Sequence, residues 1–263
     1  NIAPMNFIIQ EEGSAYHVEI YGQEGKRIRL HQRSPKIQIP IKKWHALLKD
    51  NTGSELFIDV MVKDGEWKKY KTIRNSIARE EIDNFLVYRL INGSYITWDK
   101  MGIYQRDLEN FNQHAIYENT STDKSCVNCH MFSSHKPEKM HLHFRAAHGG
   151  TMILDGKELK KIDTKTEETT GACGYPSWHP DGNLIAYSIN EVRQVFTSDK
   201  SKTQDVFDIT SDIAIYDVKE NILFSSGRLT TSSRENLPTW SPDGQWIAFV
   251  SDHDSIDPDI DFV

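Results

Sequence analysis

The sequence predicts an all-β protein, with a small sandwich domain followed by a domain of repeated sheet units. Three observations indicate this class. Short stretches of alternating apolar and polar residues are separated by turn-forming residues, as in half-buried strands. A Lys-Asp-Gly segment joins two such stretches into a hairpin. A strand–turn–strand pattern in the second half of the chain occurs twice.

Residues 1–85 are predicted to form the sandwich domain. Alternating runs predict strands near 6–10, 16–21, 27–31, 37–41, 56–62 and 67–73. Ile41, Trp44 and Leu47 share one helical face, which predicts a helix over 41–49. A short acidic helix is expected over 78–85. Several short strands with so little helix are typical of a sandwich of the immunoglobulin or fibronectin kind.

The repeat lies in the second half of the chain. Tyr175-Pro-Ser-Trp178-His179-Pro-Asp-Gly is followed by an apolar run, and Leu237-Pro-Thr-Trp240-Ser-Pro-Asp-Gly is followed by a similar one. Proline presets the first turn dihedral and glycine supplies the positive one, so each copy reads as strand, turn, strand. We therefore expect Trp178 and Trp240 to occupy equivalent positions in two antiparallel sheets.

The strongest chemical signal is Cys126-Val-Asn-Cys129-His130. Covalent attachment of haem c needs two thiols one helical turn apart, so that both reach the vinyl groups of one porphyrin. The next residue then presents its imidazole to the iron. The motif meets these needs and predicts one haem c bonded through Cys126 and Cys129, with His130 as axial ligand.

Three other interpretations of the motif remain open. A zinc site can use Cys-x-x-Cys spacing, but no second cysteine pair follows, and adjacent Cys129 and His130 rarely point at one metal ion. A thioredoxin-like redox pair belongs in an α/β setting. The two cysteines can also form a simple disulfide. Cys173 has no sequence partner and is expected to be a small buried apolar side chain.

Residues 86–263 resemble the TolB-like β-propellers, whose blades open with Pro-x-Trp-Ser-Pro-Asp-Gly. The match is close at Pro238–Val250 and continues into Asp257-Pro-Asp-Ile, whereas the copy at Pro176 carries His179 where the family has serine. Tyr88-Arg-Leu, Trp98-Asp-Lys-Met, the Cys-Val-Asn-Cys-His motif and Trp-His-Pro-Asp-Gly together resemble a group of exported bacterial propeller proteins with a haem-type motif.

This resemblance implies a TolB-like propeller over 86–263, with a haem-bearing insertion at about 120–150. It also implies a bacterial protein of the periplasm or the outer membrane. A propeller closes with about four to eight blades, and this segment accounts for roughly half that number. We expect further residues to complete the ring, with a partner chain as the alternative.

A second axial ligand is expected among the residues that follow the motif. Five of the eleven histidines lie between 130 and 148. The resemblance implies a Met-x-x-His-x-Arg pattern, here Met140, His143 and Arg145, so His143 is expected as the distal ligand and Arg145 as a partner of a haem propionate. Met140 and His179 are the alternatives. Residues 131–150 are expected to form a loop long enough to reach the opposite haem face.

Composition and sequence motifs exclude several kinds of partner and reaction. The net charge is −7 and no block of basic residues occurs, so nucleic acid is not an expected partner. No run of eighteen apolar residues predicts a membrane span. Asn1–Met5 does not read as a signal peptide, so a processed or partial form of an exported chain is expected. Hydrolase and nucleotide-binding motifs are absent from the sequence.

These observations predict a mono-haem cytochrome that exchanges electrons with a protein partner in the cell envelope. The alternative is an envelope interaction scaffold in which the haem, or a metal at the same site, is structural. An open coordination position on the iron would instead allow peroxidase-like chemistry. Because a second axial ligand is expected, an enzyme is the less favoured interpretation.

Overall fold

A computed structural model describes residues 2–91, 100–167, 169, 171–195 and 205–252 of the chain. The chain divides into two compact units: Asn1–Tyr88 with Tyr104–His114, and Arg89–Ile103 with Ala115–Val263. Twenty strands and one α-helix occur in the described residues, and the all-β prediction is confirmed. Trp98 and the Asp257 segment, which contribute to the family resemblance, lie outside the described residues.

The first unit contains a five-stranded antiparallel sheet and a two-stranded pair. The strands are β1 (Phe7–Ile8), β2 (Ala15–Tyr21), β3 (Ile28–Gln32), β4 (Lys36–Ile37), β5 (Glu55–Asp64), β6 (Glu66–Lys69) and β7 (Ile73–Ser76). The sheet order is β3-β2-β5-β6, and β7 also pairs with β5, while β1 pairs with β4. The expected hairpin is β5–β6, turning at Gly65 with a φ of 68°, and Ile73 begins a separate strand.

The predicted first helix is confirmed as α1 (Ile41–Asp50), which begins directly after Pro40. Trp44 and Leu47 on its apolar face are buried with Val18, Ile20 and other apolar residues of β2 and β5. The Trp44 Nε1 group donates a hydrogen bond to Ile2 O at 2.9 Å. Helix α1 therefore covers the apolar face of the five-stranded sheet.

The predicted helix over 78–85 is wrong. These residues are exposed and none of them is helical, and Phe85 begins strand β8. An acidic segment without a buried apolar stripe gains no packing energy as a helix, and packing supplies most helix stability in proteins.

The second half of the chain is a series of antiparallel sheets in which each strand pairs with the next. The strands are β8 (Phe85–Ile91), β9 (Met101–Asp107), β10 (Gln113–Glu118), β11 (Val127–Phe132), β12 (Lys139–Phe144), β13 (Gly150–Asp155), β14 (Glu158–Ile162), β15 (Cys173–Trp178), β16 (Leu184–Val195), β17 (Asp205–Asp217), β18 (Ile222–Phe224), β19 (Arg234–Trp240) and β20 (Ile247–Asp252). The sheets are β8–β10, β11–β14, β15–β18 and β19–β20. Successive four-stranded meanders are the sheet pattern of propeller blades.

The two repeat copies occupy equivalent positions, as predicted. Trp178 pairs with Ile185 across β15–β16, and Trp240 pairs with Ile247 across β19–β20. In both copies the Pro-Asp-Gly segment forms the turn between these two strands, and Gly182 and Gly244 have φ values of 77° and 71°. The repeat therefore encodes the first hairpin of a sheet.

Neighbouring sheets pack through their faces and their first strands. Ile153 of β13 is buried with Cys173, Trp178 and Tyr187 of the next sheet. The Trp240 amide donates a hydrogen bond to Ser177 Oγ at 3.1 Å, which joins the first strands β15 and β19. Burial of Cys173 confirms it as a core side chain, and burial also raises the pKa of its thiol to about 12.

Candidate functional site

The Cys126–His130 motif lies at the start of the β11–β14 sheet. Cys126 directly precedes β11, while Cys129 and His130 belong to the strand. Cys126 is 6% exposed, and the other two side chains are half-buried. Residues 131–150, expected as a loop, instead contain the end of β11, all of β12 and the start of β13. The stretch expected as an insertion therefore forms much of a sheet of its own.

A β-bulge shapes the motif. The register between β11 and β12 shifts between Asn128 and Met131, and Cys129 within this interval has a φ of 52°. The Cys129 amide donates to Asn128 Oδ1 at 2.8 Å, a local bond that asparagine makes readily. The two thiols are therefore set by a bulged strand, and the expected helical turn does not occur here.

The same bulge recurs in the next two sheets. Tyr175 has a φ of 46° within the register shift of β15, and Leu237 has a φ of 54° within that of β19. The Leu237 amide donates to Asn236 Oδ1 at 2.8 Å, as the Cys129 amide does to its own preceding asparagine. Cys129 thus occupies the position of Tyr175 and Leu237, and the haem-type motif is a third copy of the repeat.

Sequence reasoning missed this third copy because its turn lacks Pro-Asp-Gly and its strand lacks tryptophan. Phe132 pairs with Met140 where Trp178 pairs with Ile185, and the connecting segment is one residue longer. The asparagine that precedes the bulged residue, Asn128 here and Asn236 in the last copy, was the only shared local feature.

The two motif thiols differ in their surroundings. Neither cysteine is in a disulfide. Burial raises the pKa of the Cys126 thiol, and the positive charges of Arg145 and Arg89 partly oppose that rise. The Cys129 Sγ accepts a hydrogen bond from the Tyr175 amide at 3.4 Å. The simple disulfide is thus not the state found here.

Arg145 lies next to the motif, as the resemblance implied. Its amide donates to Cys126 O at 2.8 Å. A Cβ atom placed on Gly174 would lie 3.8 Å from Arg145 Nη2 and 3.9 Å from Cys129 Sγ. The guanidinium and the thiol therefore approach the same glycine, and a positive charge stands close to both cysteines.

His143 and His141 project from one face of β12, two residues apart, and are 1% and 0% exposed. His143 Nδ1 lies 2.9 Å from Thr151 Oγ1. Burial, with a smaller effect from the charge of Arg145, lowers the pKa of His143 to about 4. Burial lowers the pKa of His141 to about 3, although the hydrogen bond to the Cys129 carbonyl opposes this shift. Both imidazoles are neutral at pH 7.

His141 is a site residue that sequence reasoning did not select. Its Nδ1 lies 2.8 Å from Cys129 O, and because a carbonyl oxygen only accepts, Nδ1 carries the proton. The Nε2 atom, which then bears the lone pair, is buried and has no hydrogen-bond partner among the described residues. A neutral imidazole with an unpaired, buried lone pair is in the form that binds a metal ion. The His-Leu-His alternation on a strand was the available signal.

The remaining alternatives for the second axial ligand lie elsewhere. Met140 projects from the opposite face of β12 to His143, because side chains alternate along a strand. His179 follows β15, with its Nε2 3.0 Å from Gly244 O and its Nδ1 2.7 Å from Asp181 Oδ1. Both ring nitrogens of His179 are thus engaged by protein oxygens.

Two further findings concern the described residues only. No three His, Cys, Asp or Glu side chains there converge closely enough to hold one metal ion. No helix of that part of the chain has the length and apolar character needed to cross a membrane.

No protein-family model and no curated protein matches the chain. Among solved structures, the chain is similar to an oligogalacturonate lyase in complex with manganese, at 13% sequence identity and a TM-score of 0.29. That match covers 76% of this chain and 70% of the other.

Proposed function

We propose that the chain is an exported bacterial c-type cytochrome of the TolB-like propeller kind, with one covalent haem. It exchanges electrons with a protein partner in the cell envelope, in the periplasm or at the outer membrane. The observation that carries the proposal is the Cys126–His130 segment, which supplies two free thiols and an adjacent imidazole within five residues.

The residue types around the motif are those that this group needs, although the bulged strand does not set the two thiols one helical turn apart. Cys126 and Cys129 would hold the porphyrin covalently, and His130 would be the proximal ligand. Arg145 stands beside both cysteines and would pair with a propionate through its two parallel N–H donors. The unpartnered Nε2 of His141 supports the proposal further, because it leaves a nitrogen lone pair free next to the motif.

The distal ligand is proposed to be His143, with His141 as the alternative that the geometry adds. A ligating histidine usually donates its second ring N–H to a protein oxygen, which fixes its tautomer. Thr151 Oγ1 is placed to accept from His143 Nδ1, and Cys129 O accepts from His141 Nδ1. Both side chains thus leave Nε2 as the nitrogen available to iron. The haem, when bound, supplies a reversible one-electron centre.

Covalent attachment is tested by mass spectrometry of the denatured chain, produced in a host that matures c-type cytochromes. Thioether bonds survive acid and organic extraction, so the chain should carry the mass of one haem. The Cys126→Ala, Cys129→Ala double variant should carry none. A bare polypeptide mass for the unaltered chain would falsify the proposal, and a zinc ion retained under native conditions would support the zinc alternative.

The role of the haem is tested by a redox titration followed in the visible spectrum. An electron carrier should be reduced and reoxidised reversibly, without a change in oligomeric state or in partner binding. If the haem cannot be cycled but its loss unfolds the second unit, the structural-haem scaffold is the better description. Rapid reaction with peroxide would instead favour peroxidase-like chemistry.

A further inference from the structure

A cavity of about 280 Å³ lies in the second unit between β17 and the β19–β20 pair. Its walls are formed by Phe207, Asp208, Ser211, Arg234, Asn236, Val250 and Asp252. The cavity is open to solvent at Val250, which is 55% exposed, and has room for a group the size of a lysine side chain. The cavity is distinct from the cysteine motif, so a ligand bound in it would not depend on the proposed haem.

Two polar atoms beside the cavity lack partners. Ser211 lines the cavity and is 2% exposed, and its Oγ has no hydrogen-bond partner among the described residues. Asn190 pairs with Ser211 across β16–β17, and its Oδ1 is also buried and unpartnered. An unpaired buried polar group costs about 1–3 kcal/mol. A water molecule or a ligand group bound beside both atoms would satisfy them.

Asp208 supplies a negative charge next to these atoms. Its two oxygens accept hydrogen bonds from Asn190 Nδ2 at 3.0 Å and from Asn236 Nδ2 at 2.7 Å. It forms no ion pair with another described residue, and a carboxylate can accept about four hydrogen bonds. Asp208 therefore keeps both an uncompensated charge and spare acceptor capacity.

The other charged groups of the cavity compensate each other. Arg234 Nη2 lies 2.6 Å from Asp252 Oδ2. The described residues of the cavity walls carry two carboxylates and one guanidinium, a net charge of −1. An anionic ligand is disfavoured by this charge, and a neutral polyol would leave Asp208 uncompensated. A calcium ion needs six to eight oxygen ligands, more than the oxygens of Asp208, Ser211 and Asn190 supply.

We propose that this cavity binds a primary ammonium group, carried either by a small free amine or by a lysine side chain of a peptide. Two of the acceptors for its three N–H donors, the Asp208 carboxylate and Ser211 Oγ, line the cavity, and the third, Asn190 Oδ1, belongs to the side chain that is hydrogen-bonded to Asp208. Phe207 and Val250 supply apolar surface for the carbon stem.

Calorimetric titration of the purified chain with n-butylamine tests the proposal. We expect a dissociation constant on the order of a millimolar, since so small a ligand has few atoms to bind with. n-Butanol, with the same stem and no charge, should bind at least about tenfold more weakly. Asp208→Asn and Ser211→Ala should each weaken amine binding by about tenfold or more. Asp64→Asn, which alters an exposed carboxylate of the first unit, should leave binding unchanged.

Ser211→Ala keeps the test valid if Asp208→Asn disturbs folding. Because the Ser211 hydroxyl has no partner, its removal should not lower the unfolding temperature, while it still weakens amine binding. Absence of amine binding, or equal binding by both variants and the unaltered chain, would overturn the proposal. Binding of calcium chloride or glucose that is lost in the same variants would overturn the ammonium assignment.

The two sources of the ammonium are separated by comparing n-butylamine with a lysine-containing peptide that is blocked at both ends. Tighter binding of the peptide supports a protein partner that inserts a lysine. Binding of the amine without the peptide supports a small free amine.

Discussion

Replacing Gly244 with alanine tests how the sheets of the second unit are held together. Gly244 lies in the Pro-Asp-Gly turn of β19–β20, with a φ of 71°. An added Cβ would lie 2.3 Å from His179 Nε2, a distance that forces the imidazole to move. Gly156 is a matched control in the same unit, because its φ is 62° and nothing lies within 4 Å of an added Cβ.

The magnitude follows from the contacts of His179. Alanine at a positive φ costs about 1–2 kcal/mol in both variants. Displacing the His179 ring also removes its hydrogen bond to Gly244 O, worth about 1 kcal/mol. It further removes the edge-on contact with Trp240, in which the ring centroids are 4.7 Å apart, worth about 0.5–1.5 kcal/mol. Gly244→Ala should therefore lower the free energy of unfolding by roughly 1–3 kcal/mol more than Gly156→Ala.

Thermal unfolding followed by circular dichroism measures this difference. For a unit of this size 1 kcal/mol corresponds to roughly 2–4 °C, so the two midpoints should differ by at least a few degrees. In a His179→Ala background the extra cost should disappear, since no ring remains to be displaced. Equal unfolding midpoints for Gly244→Ala and Gly156→Ala would refute the reasoning, because the contacts of His179 would then contribute nothing to stability.

Three further predictions concern the candidate site and the first unit. Thr151→Val should lower the free energy of unfolding by about 1–3 kcal/mol, because it leaves the buried His143 Nδ1 without its hydrogen-bond partner. The control variant Thr239→Val, at an exposed strand position, should change the free energy of unfolding little. Equal unfolding curves for the two variants would contradict the hydrogen bond. In the haem-loaded protein, His143→Ala should convert the visible spectrum to a high-spin or water-ligated form with the haem still attached; if His141→Ala, Met140→Ala or His179→Ala does so instead, the distal assignment moves to that residue. Hydrogen bonds from Lys69, Thr72 and Tyr21 lower the pKa of Asp59 in the folded state, so its stabilising effect should be complete above its ordinary pKa of 3.8 and should be lost as the pH falls through the lowered value. Denaturant titrations should show Asp59→Asn less stable than the unaltered chain at pH 7, with the gap closing below pH 3.8, and a gap independent of pH would show that the charge is not the cause.

The parts of the fold that could be predicted were those with a local signal. Helix α1 has a regular apolar face, and the Pro-Asp-Gly turns fix two hairpins whatever surrounds them. The helix expected over 78–85 failed because charge and propensity alone do not say what a segment packs against. The residues after the motif were taken for a loop because the histidines and lysines of Lys139–Phe144 hid the alternation of strand β12.

The candidate site shows the same division. Cys126, Cys129 and His130 could be selected as site residues because they lie within five consecutive residues of the sequence. The choice between His141 and His143 depends on which oxygens the neighbouring strands bring to each ring, which spacing along one strand cannot reveal. The cavity beside Ser211 was invisible in the sequence, because its walls come from three strands of two sheets.

The shared bulge has a consequence for how such a motif could arise and spread. Cys126, Cys129 and His130 occupy the places of Ala172, Tyr175 and Pro176 in the following sheet, and the positive φ at the second cysteine is already present there at Tyr175. The backbone geometry thus belongs to the repeat, whereas the two thiols and the imidazole belong to this copy alone. The bulge is therefore a backbone template on which the same three side chains can be placed in a neighbouring sheet by point substitution.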